Sequence, residues 1–208
     1  LNQRTIETTP ILGRKFEDML TLTPGVSVVQ GPDGDEITFA GQRGVFNNIS
    51  LDGGDYNNGF FGEQMGGQRA AIDITLDAVK EFQVVANGAN AEYGSYTGAV
   101  VNTITKSGGN RFAGLFDAYW TKGGLWSDNI TPELVSQNAS LAEPAVVNKR
   151  LDISGQIGGP IIKDKLFFFL SAQRFEIDDD PTGPRTSHTE VSPRFNAKLS
   201  WQPSSNDN

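Results

Sequence analysis

Residues 76–110 read LDAVKEFQVVANGANAEYGSYTGAVVNTITKSGGN, and this stretch decides how the chain divides. Leu76–Lys80 is long enough for one helical turn. Glu81–Ala86 alternates Phe82 and Val84 against Glu81 and Gln83, the period-2 pattern of a strand. Ala99–Lys106 is rich in β-branched residues, a second strand. The segment ends in Lys106–Asn110 (KSGGN), whose small and turn-forming residues mark a change of character. Segments before it are short and mixed, whereas those after it are isolated strands separated by polar loops. A domain boundary is expected there, with residues 1–108 on one side and 109–208 on the other.

Upstream, Gly13–Thr23 (GRKFEDMLTLT) places Phe16, Met19, Leu20 and Thr23 on one face of a short helix, stopped by Pro24-Gly25. Val26–Gln30 and Ile37–Ala40 read as brief strands flanking a turn-rich GPDGDE. Ile49–Leu51 is a strand running into Asp52-Gly53-Gly54-Asp55, a tight turn. Residues 56–71 are rich in Gly, Asn and Gln and are expected to form a loop.

Downstream, the alternation is cleaner. In 111–121, Phe112, Gly114, Phe116, Ala118 and Trp120 oppose Ala113, Leu115, Asp117 and Tyr119. Leu151, Ile153, Gly155 and Ile157 oppose Asp152, Ser154 and Gln156; Phe195, Ala197, Leu199 and Trp201 oppose Asn196, Lys198, Ser200 and Gln202. With Leu166–Glu176 these make four segments of about 10 residues, the length of a tilted membrane strand. Their connections run long (122–148), short (158–165) and long (178–192), as in a barrel with loops on one side and turns on the other. A soluble sandwich carries the same alternation. Four strands do not close a barrel around a domain, so the membrane reading requires further strands beyond this chain.

Composition narrows the functions. The 208 residues carry 17 Lys and Arg against 25 Asp and Glu, a formal charge of −8. That argues against non-specific nucleic-acid binding, which needs basic surface. Without Cys there are no disulfides, thiolate metal sites or cysteine nucleophiles. The longest apolar run, Leu166–Leu170, is far short of the ~18–20 residues of a membrane helix. The chain opens at Leu1 without a charged-then-apolar leader, and is expected to be a piece of a longer protein.

Candidate chemistry is sparse. His188 is the single histidine, so no His–His zinc site forms, and it is expected in a solvated loop. Asp178-Asp179-Asp180 lacks EF-hand spacing and is likewise expected in a solvated loop. No nucleophile stands beside a partnered base and no phosphate-binding glycine pattern occurs, so neither an enzyme nor a cofactor is expected. Tyr56, Asn57, Asn58, Phe60 and Phe61 combine aromatic and amide side chains in one Gly-rich loop. They are the candidate ligand contacts, although Phe60 and Phe61 covering a small core is an equal reading.

Several segments, in order, resemble the TonB-dependent outer-membrane receptors. LGRKFEDMLTLTPGVSV (12–28) resembles the opening of their plug domain and ITFAGQRGVFNNISLDGGDYNN (37–58) its central segment. Residues 76–110 resemble its closing motif, a Tyr-Gly turn followed by a strand ending in Thr-Lys. QIGGPIIKDKLFFFLSAQRFE (156–176) resembles an early barrel hairpin and RFNAKLSWQPSSNDN (194–208) the next strand and turn. The wording is most similar to the subgroup with an N-terminal carboxypeptidase-regulatory-like domain.

The resemblance implies an α+β plug domain, a small mixed sheet with short helices, followed by antiparallel strands of an incomplete transmembrane β-barrel. The whole barrel would have about 22 strands with the plug in its lumen. It implies a receptor of the Gram-negative cell outer membrane that imports a scarce small ligand, glycan or peptide. The TonB protein would act through a segment N-terminal to this chain, and outer-membrane lipid would surround the strands. It implies that Arg43 contacts the barrel. Ala86 stands where many family plugs carry a second arginine, which leaves that locking contact in doubt. The alternative is a surface-exposed or secreted β-rich binding module without transport.

Overall fold

A computed structural model describes residues 2–9, 19–31, 34–42, 46–57, 74–85, 97–125, 127, 130–142, 145–180 and 186–203. Helix α1 spans Gln3–Thr8, and the Asn2 side chain caps it by accepting from the Thr5 N–H at 3.0 Å. Strands β1 (Val26–Gly31) and β2 (Gly34–Phe39) form an antiparallel hairpin whose register closes at Gly31 opposite Gly34. The turn is therefore shorter than the GPDGDE composition suggests, because Gly34–Glu36 already pair. Of the helix expected over 13–23, Met19 and Leu20 are helical and fully buried, residues 21–23 are already turn and bend, and residues 13–18 lie outside the described residues.

A second sheet has the order β4-β3-β6-β5. It is built from β3 (Asn48–Leu51), β4 (Gly54–Asp55), β5 (Val79–Val85) and β6 (Val100–Thr105). It is mixed: β3 runs parallel to β6, while β4 and β5 are antiparallel to their neighbours. Asp52 (φ 49°) and Gly53 (φ 82°) make the two-residue β3–β4 turn, both in the left-handed region that an Asp-Gly pair tolerates. The turn expected at 76–80 is a 3₁₀ turn, Leu76–Ala78, with Leu76 and Ala78 buried. Met19, Leu20, Ile37, Ile49, Val79, Phe82 and Val101 pack as one core. Asn47 stitches it. Its buried amide donates to the Ile37 carbonyl at 2.9 Å and its oxygen accepts from the Ala99 N–H at 3.1 Å.

The later strands are β7 (Ala113–Lys122), β8 (Val146–Ile162), β9 (Leu166–Asp180) and β10 (His188–Trp201), in the sheet order β10-β9-β8-β7. All four expected segments are strands, and β8, β9 and β10 run further than alternation alone marks. Asp178–Asp180, expected in a loop, continue β9, and His188 opens β10. Cross-strand partners explain this: Asn148 donates to Asp180 at 2.9 Å, and His188 Nδ1 lies 3.1 Å from Asp179 Oδ1. Within 122–148 a short helix, α2 (Pro132–Gln137), begins at Thr131, whose side chain accepts from the Leu134 N–H, with Pro132 in the first turn.

The chain forms two compact units. The first comprises Leu1–Gly114, Gln156–Ser171 and Arg194–Asn208, and the second Leu115–Gly155 and Ala172–Pro193. In the second unit, Gln173 donates to Asp152 at 2.7 Å across β8 and β9, both side chains buried. The Arg150 guanidinium stands 5.4 Å from the Phe175 ring centroid.

Along much of β8 and β10 burial runs opposite to that of a water-soluble sheet, and β9 is mixed. Asp152, Ser154, Ser171, Gln173, Ser192 and Arg194 are buried, together with Phe169 and Phe175 of β9, while Ile157, Leu170, Phe195, Leu199 and Trp201 are exposed.

Candidate functional site

The β3–β4 hairpin carries the first group of candidate residues. Tyr56 follows β4; its N–H donates to the Ile49 carbonyl at 2.9 Å and its side chain joins the core. Asn57 closes the open end of the hairpin. Its amide donates to Asp55 Oδ1 at 2.7 Å and to Asn48 Oδ1 at 2.9 Å, and its oxygen accepts from the Ile49 N–H at 3.0 Å. The Asn57 backbone N–H also donates to Asp55 Oδ1 at 3.0 Å. This brace uses both ends of the Asn57 amide, so the residue is committed to holding the stem of whatever follows.

At the turn end of the same hairpin, Asp52 does more than bend the backbone. The Thr105 N–H donates to Asp52 Oδ1 at 2.9 Å and the Thr105 hydroxyl to Asp52 Oδ2 at 2.5 Å. Lys198 of β10 brings its ammonium 3.0 Å from Asp52 Oδ1 and 3.0 Å from Thr105 Oγ1. Burial pushes the Asp52 carboxyl up, but the Thr105 hydroxyl, the Thr105 N–H and the Lys198 charge outweigh it and hold the group below its ordinary value.

Beyond Thr105 the chain is held at close intervals. The Lys106 N–H donates to the Ala78 carbonyl at 2.8 Å. Gly108 crosses so near β8 and β9 that a Cβ there would stand 2.1 Å from the Phe168 carbonyl oxygen and 2.9 Å from that of Gly159. Glycine is required by space here, since any side chain would meet backbone. Asn110 and Asp164 then bond reciprocally: the Asn110 amide donates to Asp164 Oδ1 at 2.5 Å, and the Asp164 N–H donates to Asn110 Oδ1 at 2.8 Å.

These groups hold and position; no acid–base pair flanks a cleft among them. Among the described residues, no group of three or more His, Cys, Asp or Glu side chains is placed to share a metal ion. No described helix is long and apolar enough to cross a membrane, which says nothing of strands. Of the residues singled out by sequence, Tyr56 and Asn57 come together as the hairpin stem. Asn58, Phe60, Phe61, Arg43 and Ala86 lie outside the described residues. His188 is exposed beside Asp179. The residues missed were Thr105, Gly108 and Lys198. The Thr-Lys strand ending and the SGG that follows were visible, but nothing in the sequence tied Lys198 to a turn so far upstream.

Comparison with known proteins follows the same outline. Residues 1–101 match the family model of the TonB-dependent receptor plug domain. The TonB-dependent transporter Oar of Myxococcus xanthus is 29% identical over 156 residues, covering 75% of this chain and 14% of that protein. Among solved structures, the siderophore receptor PirA from Acinetobacter baumannii superposes with a TM-score of 0.66 at 20% identity, covering 99% of this chain and 29% of its own. The outer membrane transporter YddB from Escherichia coli gives 0.72 at 14% identity, covering 98% and 30% respectively. The chain therefore spans less than a third of the length of each of these relatives.

Proposed function

We propose that this chain is the gate and opening strands of a TonB-dependent outer-membrane receptor that imports a scarce ligand into the periplasm, a reading supported by the match of residues 1–101 to that family's plug-domain model. In this reading residues 1–108 form the plug, and residues 109–208 supply about four strands of a barrel whose lumen the plug fills. The observation that carries it is the inverted burial of β8 and β10, which β9 shares at Ser171 and Gln173. A sheet that hides Asp152, Gln173 and Arg194 while showing Phe195, Leu199 and Trp201 suits a lipid exterior and a polar lumen. The four strands hold 10, 17, 15 and 14 residues, at or beyond the ~9–11 that a tilted crossing needs.

Residues 122–148 and 177–192 face the exterior in this topology, and 158–165 and 203–208 face the periplasm. Ligand is met by Asn58, Phe60 and Phe61, with Tyr56 and Asn57 as their footing, and Arg43 makes a further plug–barrel contact. TonB pulls on a segment preceding Leu1 and shifts an element of low local stability that ligand has already biased. The protein transports rather than turns over substrate.

The test is growth and uptake profiling of a strain lacking the gene beside one lacking TonB function, across iron chelates, cobalamins, glycans and peptides. The same nutrient should fail in both strains. Unchanged uptake of every nutrient in the gene deletion, with the full-length protein absent from the outer-membrane fraction, would sink the proposal.

A further inference from the structure

At Lys198 a charge on the strand sheet meets a charge on the plug. Asp52, Thr105 and Lys198 come from β3–β4, β6 and β10. Thr105 lies 53 residues from Asp52 and 93 from Lys198 along the chain. The ammonium has three donors, and three acceptors lie within reach: Asp52 Oδ1 at 3.0 Å, Thr105 Oγ1 at 3.0 Å and the Thr105 carbonyl at 3.4 Å.

Other described ties between residues 1–108 and these strands differ in kind. Gly108 crosses by shape, the Lys106 ammonium donates to the neutral Gln156 side-chain oxygen at 3.5 Å, and Phe169 of β9 enters the apolar core. The shape and apolar ties are insensitive to competing ions. The Lys198–Asp52 pair, with side chains 25% and 33% exposed, is open enough to be screened or exchanged. Removing the ammonium breaks no bond inside the plug, because both Thr105 donors still reach Asp52 and the β3–β4 turn keeps its register. Lys198 therefore supplies none of the plug's internal bonds, and acts by holding down a turn and strand end that open more often without it.

We propose that Lys198 is the positioning residue of a plug latch: its ammonium holds the Asp52 turn and the end of β6 against β10, and so sets how readily that part of the plug leaves its seat. The latch has the polarity opposite to a plug arginine on a barrel carboxylate, with the carboxylate on the plug and the cation on the strand. It rests on the plug-and-barrel reading above.

The experiment is hydrogen exchange on the full-length protein in lipid nanodiscs, without ligand or TonB, at low and high salt. The amides of Asp52 and Thr105 report, the first bonded to the Thr103 carbonyl at 2.8 Å and the second to Asp52. At low salt K198M should exchange about three- to fivefold faster at both amides, the size of one half-exposed ion pair. K198R should stay near wild type, and high salt should bring wild type towards K198M. In a D52N background K198M should add little, since the ion pair is already gone. Equal exchange in wild type and K198M, or K198R as fast as K198M, would overturn the latch. The readout involves no transport, so a failed uptake assay would remove the receptor reading while leaving the latch result to stand by itself.

Discussion

Phe82 and Phe195 are both phenylalanines on alternating strands, yet Phe82 is 2% exposed and Phe195 is 73% exposed. Phe82 belongs to the first hundred residues, where apolar side chains leave water by packing on one another. Phe195 belongs to the long strands, where the neighbouring Arg194 is 8% exposed. The two regions use one alphabet and opposite addresses. Period-2 alternation therefore states that a strand has two unlike faces, and leaves open which face meets which surroundings. Around Phe82 the apolar face is turned into a core; in the strands polar side chains such as Asp152 and Arg194 are buried and Phe195, Leu199 and Trp201 are exposed, the face that the proposed barrel sets against lipid.

The sharpest test of the contrast is Phe82→Ala. A fully buried ring lost from a closed core costs about 3–5 kcal/mol, read as a lower denaturation midpoint of the plug in the full-length protein. A loss under about 1 kcal/mol would mean that Phe82 does not anchor that core. Next comes Leu199→Lys against Asn196→Lys on the same strand. In the proposed barrel a charge on the lipid face costs about 2–4 kcal/mol near the bilayer midplane, so Leu199→Lys should reduce the fraction folding into lipid vesicles while Asn196→Lys changes it little. Equal tolerance of both would break the comparison, and would restore a sheet with water on each side.

The smallest effect is the acid dependence of the Asp52 contact. Its folded-state pKa lies below the reference value of 3.8. The contribution to stability is therefore complete above 3.8 and is lost as pH falls through the lower folded value. With Asp52 a third exposed, the amount is at most about 1 kcal/mol. Plug stability in wild type and Asp52→Asn should differ at neutral pH and converge in strong acid; a difference that grows on acidification would reverse the sign argued here.

Local chemistry made much of the plug legible. Asp52-Gly53 reads as a turn because only such residues accept two successive positive φ angles cheaply, and the structure has that turn. Val79–Val85 and Val100–Thr105 follow from β-branched alternation. The short helices α1 and α2 escaped notice, since six residues give too few turns for a periodic face and only their caps at Asn2 and Thr131 announce them. Asp178–Asp180 were misplaced in a loop because charge suggests solvation. Pairing with Asn148 and His188 is a property of neighbouring strands and is invisible along the chain. Tyr56 and Asn57 were noticed for their chemistry, but their use as a hairpin stem depends on Asp55, Asn48 and Ile49 being assembled around them.

By itself the sequence determined where strands lie, that their faces differ, where the tight Asp-Gly turn falls and, through its ordered motifs, the family it resembles. These are consequences of backbone preference and side-chain period, which act over a few residues. Tertiary structure alone decided that the apolar face of the long strands is the exposed one, that Gly108 has no room for a methyl group, and that Lys198 meets Asp52 and Thr105. Each of these depends on segments tens of residues apart arriving at one place. Local propensity carries no term for that arrival; strand register and backbone crossing do.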